Sequence, residues 1–228
     1  MNRIFKLVLV SSAVFFGVNF VLSAAPFEGK MQFQIKEGRK DPLLFDYLIK
    51  GGKVRVITEN NYGERGTVIV DNAQKKMFVV MDKEKKFIEM SMEPPKGSEK
   101  KEAEKADFSK TGKKETILGY ACEEWVAKDK NGVSEVWLAK GLGTFLGFGN
   151  AKVKQSQTFW QTEVEKQNLF PLRVISKSDS GKEKTRWEVK KIERKNLDAS
   201  LFKIPASYTK IETGGFKNFM KGFASDGE

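Results

Sequence analysis

One pattern recurs along this chain more than any other: apolar residues at every second position, in short runs. Met31, Phe33 and Ile35 alternate with Lys30, Gln32, Gln34 and Lys36. A period of two puts the apolar set on one face of a strand and the polar set on the other. Phe45, Tyr47 and Ile49 repeat it, then Val54 and Val56, then Val68 and Val70. Further runs follow at 77–81, 87–90, 115–118, 122–127, 133–138, 172–175 and 185–189. Gly51-Gly52, Asp71-Asn72 and Asn131-Gly132 punctuate them, the last being a strong signal for a tight hairpin. Short strands joined by short turns pair antiparallel, so the chain is expected to be mainly β (α+β), with about ten to eleven strands. The run 77–81 is apolar throughout and therefore expects cover on both faces.

Three segments break the rhythm. Residues 93–113 carry Pro94-Pro95, Gly97 and a Lys/Glu-rich run, which reads as a charged, solvated loop. Residues 142–166 are too long for a hairpin loop. They begin with glycines among Leu142, Phe145, Leu146 and Phe148 and turn helix-like from about Ala151 to Lys166, with Val153, Phe159, Trp160 and Val164. An insertion this apolar needs an apolar surface to cover. It is therefore expected to lie as a helical lid on the concave face of a curved antiparallel sheet. The third segment, 213–228, places Phe216, Phe219, Met220 and Phe223 at i, i+3, i+4 and i+7, one stripe of a short amphipathic helix or tail.

The amino terminus reads as an export signal. Arg3 and Lys6 precede an apolar run from Leu7 to Leu22, and Ser23, Ala24 and Ala25 are small. Cleavage is expected after Ala24, because a cut after Ala25 would place Pro26 directly behind the scissile bond. This makes 1–24 a signal peptide and 25–212 a single domain, periplasmic and soluble after cleavage. Without Arg3 and Lys6 the formal charge falls from +11 to +9. In an exported protein that basicity points to an anionic membrane surface rather than nucleic acid, or simply to lysines that maintain solubility.

The chain has no histidine. That removes Ser-His-Asp and Cys-His catalysis and His-ligated zinc or haem. The lone Cys122 cannot form an intramolecular disulfide or a four-thiolate metal site, and burial is the usual fate of such a thiol. No metal site and no cofactor are expected. Asp129 to Gly132 starts like a calcium loop, but Lys140 stands where the closing acid should be. The glycines from Gly141 to Gly149 match no nucleotide fingerprint. Glu123, Glu124 and Glu135 lie on neighbouring strands, yet Glu123 and Glu124 face opposite ways; all three are expected to be solvated.

Several segments resemble a known family. Phe27-Glu28-Gly29 opens the first strand, and Ile117-Leu118-Gly119-Tyr120-Ala121-Cys122 and Glu135-Val136-Trp137-Leu138-Ala139 follow. Phe170-Pro171-Leu172 begins a late strand, and Leu201-Phe202-Lys203-Ile204-Pro205-Ala206-Ser207-Tyr208 closes the domain. In order and spacing these resemble an uncharacterised family of exported bacterial proteins, domain of unknown function 4412. That family in turn looks like the lipoprotein-carrier (LolA/LolB-like) fold class. The resemblance implies a half-open antiparallel barrel with helices against its concave side, holding acyl chains without enzymatic activity. It supplies no catalytic residue. The charged insertion from Pro94 to Lys110 departs from a compact carrier.

Two functions therefore stand open: a non-enzymatic periplasmic binder of an apolar or lipid-like ligand, or a cell-envelope interaction or structural protein with no small ligand. Under the first, Phe145, Phe148, Phe159 and Trp160 of the lid and Met77 and Met81 of the sheet floor are the expected ligand-binding residues, with methionine adapting to varied acyl chains. Under the second, the same aromatics complete the core. The tail residues Phe216, Phe219, Met220 and Phe223, with the lysine-rich face, are the expected contact to an anionic membrane surface.

Overall fold

The computed structural model describes residues 26–59, 65–93, 107–129, 132–143, 145 and 159–212. Residues 1–25, expected to carry the export signal, most of the insertion before residue 159 and the tail 213–228 lie outside these. The described chain is one curved, open sheet of twelve strands. β1 (Gly29–Glu37), β2 (Leu43–Lys50), β3 (Lys53–Glu59), β4 (Arg65–Asp71), β5 (Lys76–Met81) and β6 (Lys86–Ser91) form one antiparallel meander. β7 (Asp107–Ile117), β8 (Tyr120–Asp129), β9 (Gly132–Ala139), β10 (Phe170–Lys177) and β11 (Glu183–Arg194) form a second. β1 joins β11 antiparallel, so the two meanders meet in the middle of the sheet.

The alternation read from the sequence sets the register. Met31, Tyr47, Val56, Val68, Val79 and Ile88 stand in one row across six strands. Ile49, Val54, Val70, Met77 and Met90 form the row beside it. A one-residue slip would turn all of these to the other face, so burial of this face locks the pairing.

The opposite face has its own cover. Behind β11 the chain crosses it as a strap, through a short 3-10 helix (Ala199–Phe202) to β12 (Thr209–Lys210), which pairs parallel with β6. Leu197 and Phe202 bury against Leu48 of β2, and Arg55 donates Nη1–H to the Leu201 carbonyl at 2.8 Å. Tyr208 donates its hydroxyl to Asp82 at 2.9 Å. At the start of the strap, the Glu28 carboxylate accepts from Lys50 at 2.7 Å and from the Leu197 amide at 2.5 Å.

Several expectations need correcting. The eleven runs are all strands, but β12 raises the total to twelve. The expected loop 93–113 is already strand from Asp107. β7 is an edge strand, exposed along most of its length. It has no buried face to write an alternation into its sequence and is held by its ladder to β8. The hairpin at Asn131-Gly132 is real, but Gly132 pairs with Asp129, so the connection is residues 130–131. Gly132 is small for another reason: a Cβ there would meet the Lys177 carbonyl oxygen at 2.2 Å. The helix described in the insertion is α1 (Phe159–Lys166); the expected start near Ala151 lies outside the described residues.

Candidate functional site

The largest concentration of rings in the described chain sits where the two meanders meet. Phe33 and Phe45 oppose each other across β1 and β2 and stack with centroids 5.1 Å apart and planes 4° apart. Phe33 also lies 5.4 Å from Tyr47, 5.5 Å from Trp187 and 6.2 Å from Phe170. Trp187 reaches this face because it opposes Ile35 on β1 and Val174 on β10.

The insertion brings two more rings onto the same cluster. Phe145, which belongs to no strand or helix, packs 5.5 Å from Phe170, 5.6 Å from Trp187 and 6.2 Å from Tyr47. Trp160 of α1 stacks 6.3 Å from Phe145 and lies tilted 6.2 Å from Trp187. One turn later Val164 points the same way, and both are buried. Phe145 retains 1% of its surface and Trp160 4%, so these rings are packed against one another rather than lining an open space.

The expected ligand-binding residues are therefore divided. Phe145, Trp160 and Met77 belong to one hydrophobic cluster. Met81 belongs to another, with Ile88 and with Val79, Met90 and Ile211 packed against it. Phe159 is the first residue of α1, but its side chain lies outside the described residues, as does Phe148 altogether. Phe33, Tyr47 and Phe170, which the sequence does not single out for a site, make up most of the cluster together with Trp187, whose position in a regular strand reads as core before ligand wall. Their alternation placed Phe33 and Tyr47 on apolar faces, but only the register brings them together.

A second set of charges lies on the opposite side of the second meander. Arg173 alternates with Val174 and so faces away from Trp187. Its guanidinium holds Glu115 through two bonds of 2.8 and 3.1 Å and Glu188 through a third of 3.1 Å, and it lies over the Trp137 ring. Burial pushes the Glu188 carboxyl up, but its bonds to Lys190 and Arg186 and the nearby Arg173 outweigh this and hold it below the usual range.

The three glutamates weighed as a carboxylate pair are each engaged separately. Glu123 pairs with Lys110, Glu135 with Lys177, and Glu124 accepts from Thr111 at 2.7 Å and faces Lys113 at 3.1 Å. Glu124 is buried rather than solvated as expected, because β7 extends over it with Thr111 and Lys113. Cys122 is buried at 1% exposure, and burial raises its thiol above the ordinary range. Among the described residues, no group of three or more Cys, Asp or Glu is placed to hold a metal ion.

The model of a family described as a domain of unknown function (DUF4412) matches residues 27–208. The chain belongs to that family. The search of curated proteins found no match. Among solved structures, an uncharacterised conserved protein from Thermus thermophilus is similar at 12% identity and TM-score 0.49, over 81% of this DUF4412 chain and 91% of that one. MucB, in a complex of Pseudomonas aeruginosa MucA and MucB, is similar at 11% identity and TM-score 0.46, over 79% of this chain and 56% of that one. A LolA superfamily protein from Nitrosomonas europaea is similar at 12% identity and TM-score 0.34, over 78% and 89%. The lipoprotein-carrier class named from the motifs is thus represented among the structural neighbours. At these values no ligand, activity or role is carried over from the likeness.

Proposed function

We propose that this DUF4412 protein is a non-enzymatic periplasmic binder of an apolar or lipid-like ligand, and that the ligand takes the place Phe145 occupies on the aromatic face. The observation that carries the reading is the origin of Phe145. A fully buried ring at the centre of a cluster usually comes from a strand or helix. This one lies outside any strand or helix, two residues after Gly143, whose φ of +80° suits glycine. Loops are the parts of a fold that open at least cost, and what Phe145 would leave behind is a pocket walled by Tyr47, Trp160, Phe170 and Trp187. Such a pocket offers dispersion and no charge, which suits an acyl chain and little else. On this reading the aromatic face is the concave one, α1 and the insertion cover it, and the amino-terminal segment directs export.

A second reading has an observation of its own. Phe145 and Trp160 are as buried as any core residue. A face filled by the chain itself describes an envelope interaction or structural protein with no small ligand. Native mass spectrometry on protein purified gently from its own envelope separates the two. A co-purifying mass of a few hundred daltons that extracts as lipid supports the binder. Apoprotein alone, together with no uptake of a fluorescent fatty-acyl probe, rules the binder out in favour of the second reading.

A further inference from the structure

We propose that the tip of the β1–β2 hairpin is a docking surface for an anionic membrane, with Leu43 and Leu44 entering the headgroup boundary. The stretch from Lys36 to Leu44 is exposed without a break. Leu43 and Leu44 are 41% and 48% exposed, two of the four large apolar side chains exposed among the described residues, and the only adjacent pair. The ladder between β2 and β3 begins at Phe45, so among the described residues the two leucines pair only with β1, opposite Ile35 and Gln34.

Geometry selects the occupant. Successive strand residues face opposite ways, so Leu43 and Leu44 project from the two sides of the hairpin. A flat partner, including a second copy of this chain laid on one face, buries one and leaves the other in water. A surrounding apolar phase buries both, and a bilayer interface provides that. The tip is also braced: the Gly38 amide donates to the Lys184 carbonyl at 3.1 Å, and the Lys40 amide donates to Glu37 at 3.0 Å. The first contact sets the β10–β11 turn beside it.

The charges agree in sign but are modest. Lys36, Arg39 and Lys40 belong to the same exposed stretch as the leucines, and Lys182 and Lys184 stand at the neighbouring β10–β11 connection. Glu37, Asp41, Asp179 and Glu183 oppose them, with Glu37 within 3.6 Å of Lys40 and Glu183 held by both ends of Arg186. Anionic headgroups should therefore strengthen an attachment that the leucines dominate. The proposal does not depend on whether Phe145 gives way to a ligand.

The test is flotation of the full chain, as processed in the envelope, with vesicles of mixed phosphatidylcholine and phosphatidylglycerol and with phosphatidylcholine alone. The double variant Leu43→Ser/Leu44→Ser should weaken partitioning at least about tenfold, with acyl-probe uptake and thermal midpoint unchanged. Arg39→Gln/Lys40→Gln should cost up to about thirtyfold, and only on the anionic vesicles. Leu118→Ser, at the opposite end of the sheet and as exposed as the leucines, should have no effect. Wild-type partitioning by the Leu43/Leu44 variant overturns the proposal and returns membrane contact to the tail residues Phe216 to Phe223. Concentration-dependent dimerisation that the same variant abolishes, without vesicle binding by the wild type, also overturns it in favour of a second copy.

Discussion

Replacing Phe145 with alanine separates a plug from a core residue, because the two readings predict the same loss of stability and opposite effects on binding. Phe145 keeps 1% of its surface and packs against Tyr47, Trp160, Phe170 and Trp187. Truncating a buried phenylalanine costs about 3–5 kcal/mol. At about 2–4 °C per kcal/mol for a chain of this size, the thermal midpoint should fall by about 6–20 °C. The same energy is what a ligand must supply to displace the ring. If Phe145 competes for the ligand site, Phe145→Ala removes that competition, worth a factor of ten for each 1.4 kcal/mol or so. The ceiling is therefore between about a hundredfold and a few thousandfold in probe affinity. Relaxation of the segment into the vacated space would consume part of that gain, so a tightening of at least about tenfold is expected. The assay is titration of a fluorescent fatty-acyl probe beside a thermal melt. A lower midpoint with probe affinity unchanged or weaker would falsify the plug and leave Phe145 as core.

Gly132→Ala should cost more than about 2 kcal/mol, because its Cβ has no room beside the Lys177 carbonyl; a urea midpoint equal to wild type would show that β9 and β10 separate freely there. Phe202→Ala should destabilise by about 3 kcal/mol or more and raise amide exchange at the β6 edge, where β12 is paired; exchange confined to the strap itself would mean that β6 needs no cover. Glu28 is held low by Lys50 and the Leu197 amide, and Asp71, pushed up by burial, is pulled lower still by Lys53 and the Gln74 and Ala73 amides. Their folded values lie below the unfolded ones, so the stability they contribute is present above about pH 4.5 and is lost as pH falls through the folded values. The midpoint should hold level from pH 7 to about 5 and then decline, and Glu28→Gln should make the decline shallower. A midpoint that rises on acidification would contradict the sign.

The sheet was legible wherever one face is buried and the other wet. Met31, Phe33 and Ile35, or Phe45, Tyr47 and Ile49, announce their strands because burial imposes a period of two on the residues. β7 carries lysines at 110, 113 and 114 with both sides exposed, so nothing in its composition distinguishes a solvated edge strand from a solvated loop. β12 is two residues long and rests on partners from β6, and a strand that short leaves no period at all. The junction of β1 with β11 is also silent in sequence. It joins residues more than 140 positions apart through backbone hydrogen bonds, which carry no side-chain signature.

The site was legible in kind and not in membership, for a reason that lies in the chemistry of apolar surfaces. A carboxylate or an imidazole declares a role because burying it costs energy that some partner must offset. Phe145 and Trp160 declare nothing of the sort, since the same rings are stabilised equally by an acyl chain and by Trp187. Alternation told which face each ring would take. The register of β1 against β11, together with the return of the insertion, decided that Phe33, Tyr47, Phe145, Trp160, Phe170 and Trp187 would meet. Met81 shows the converse. The apolar run 77–81 and the adaptability of methionine mark it as a floor residue beside Met77, yet it lies at the far end of β5, where Ile88 of β6 and Ile211 pack against it. A shared face places residues on one side of a sheet, and only the distance along the strand decides whether they serve one site. What distinguishes a lining residue from a core residue here is whether the ring can leave, and that depends on the segment carrying it. Phe33 would have to break β1 from the middle of the sheet. Phe145 belongs to no strand or helix, which is why it, rather than any ring of the strands, is the residue whose removal tests the function.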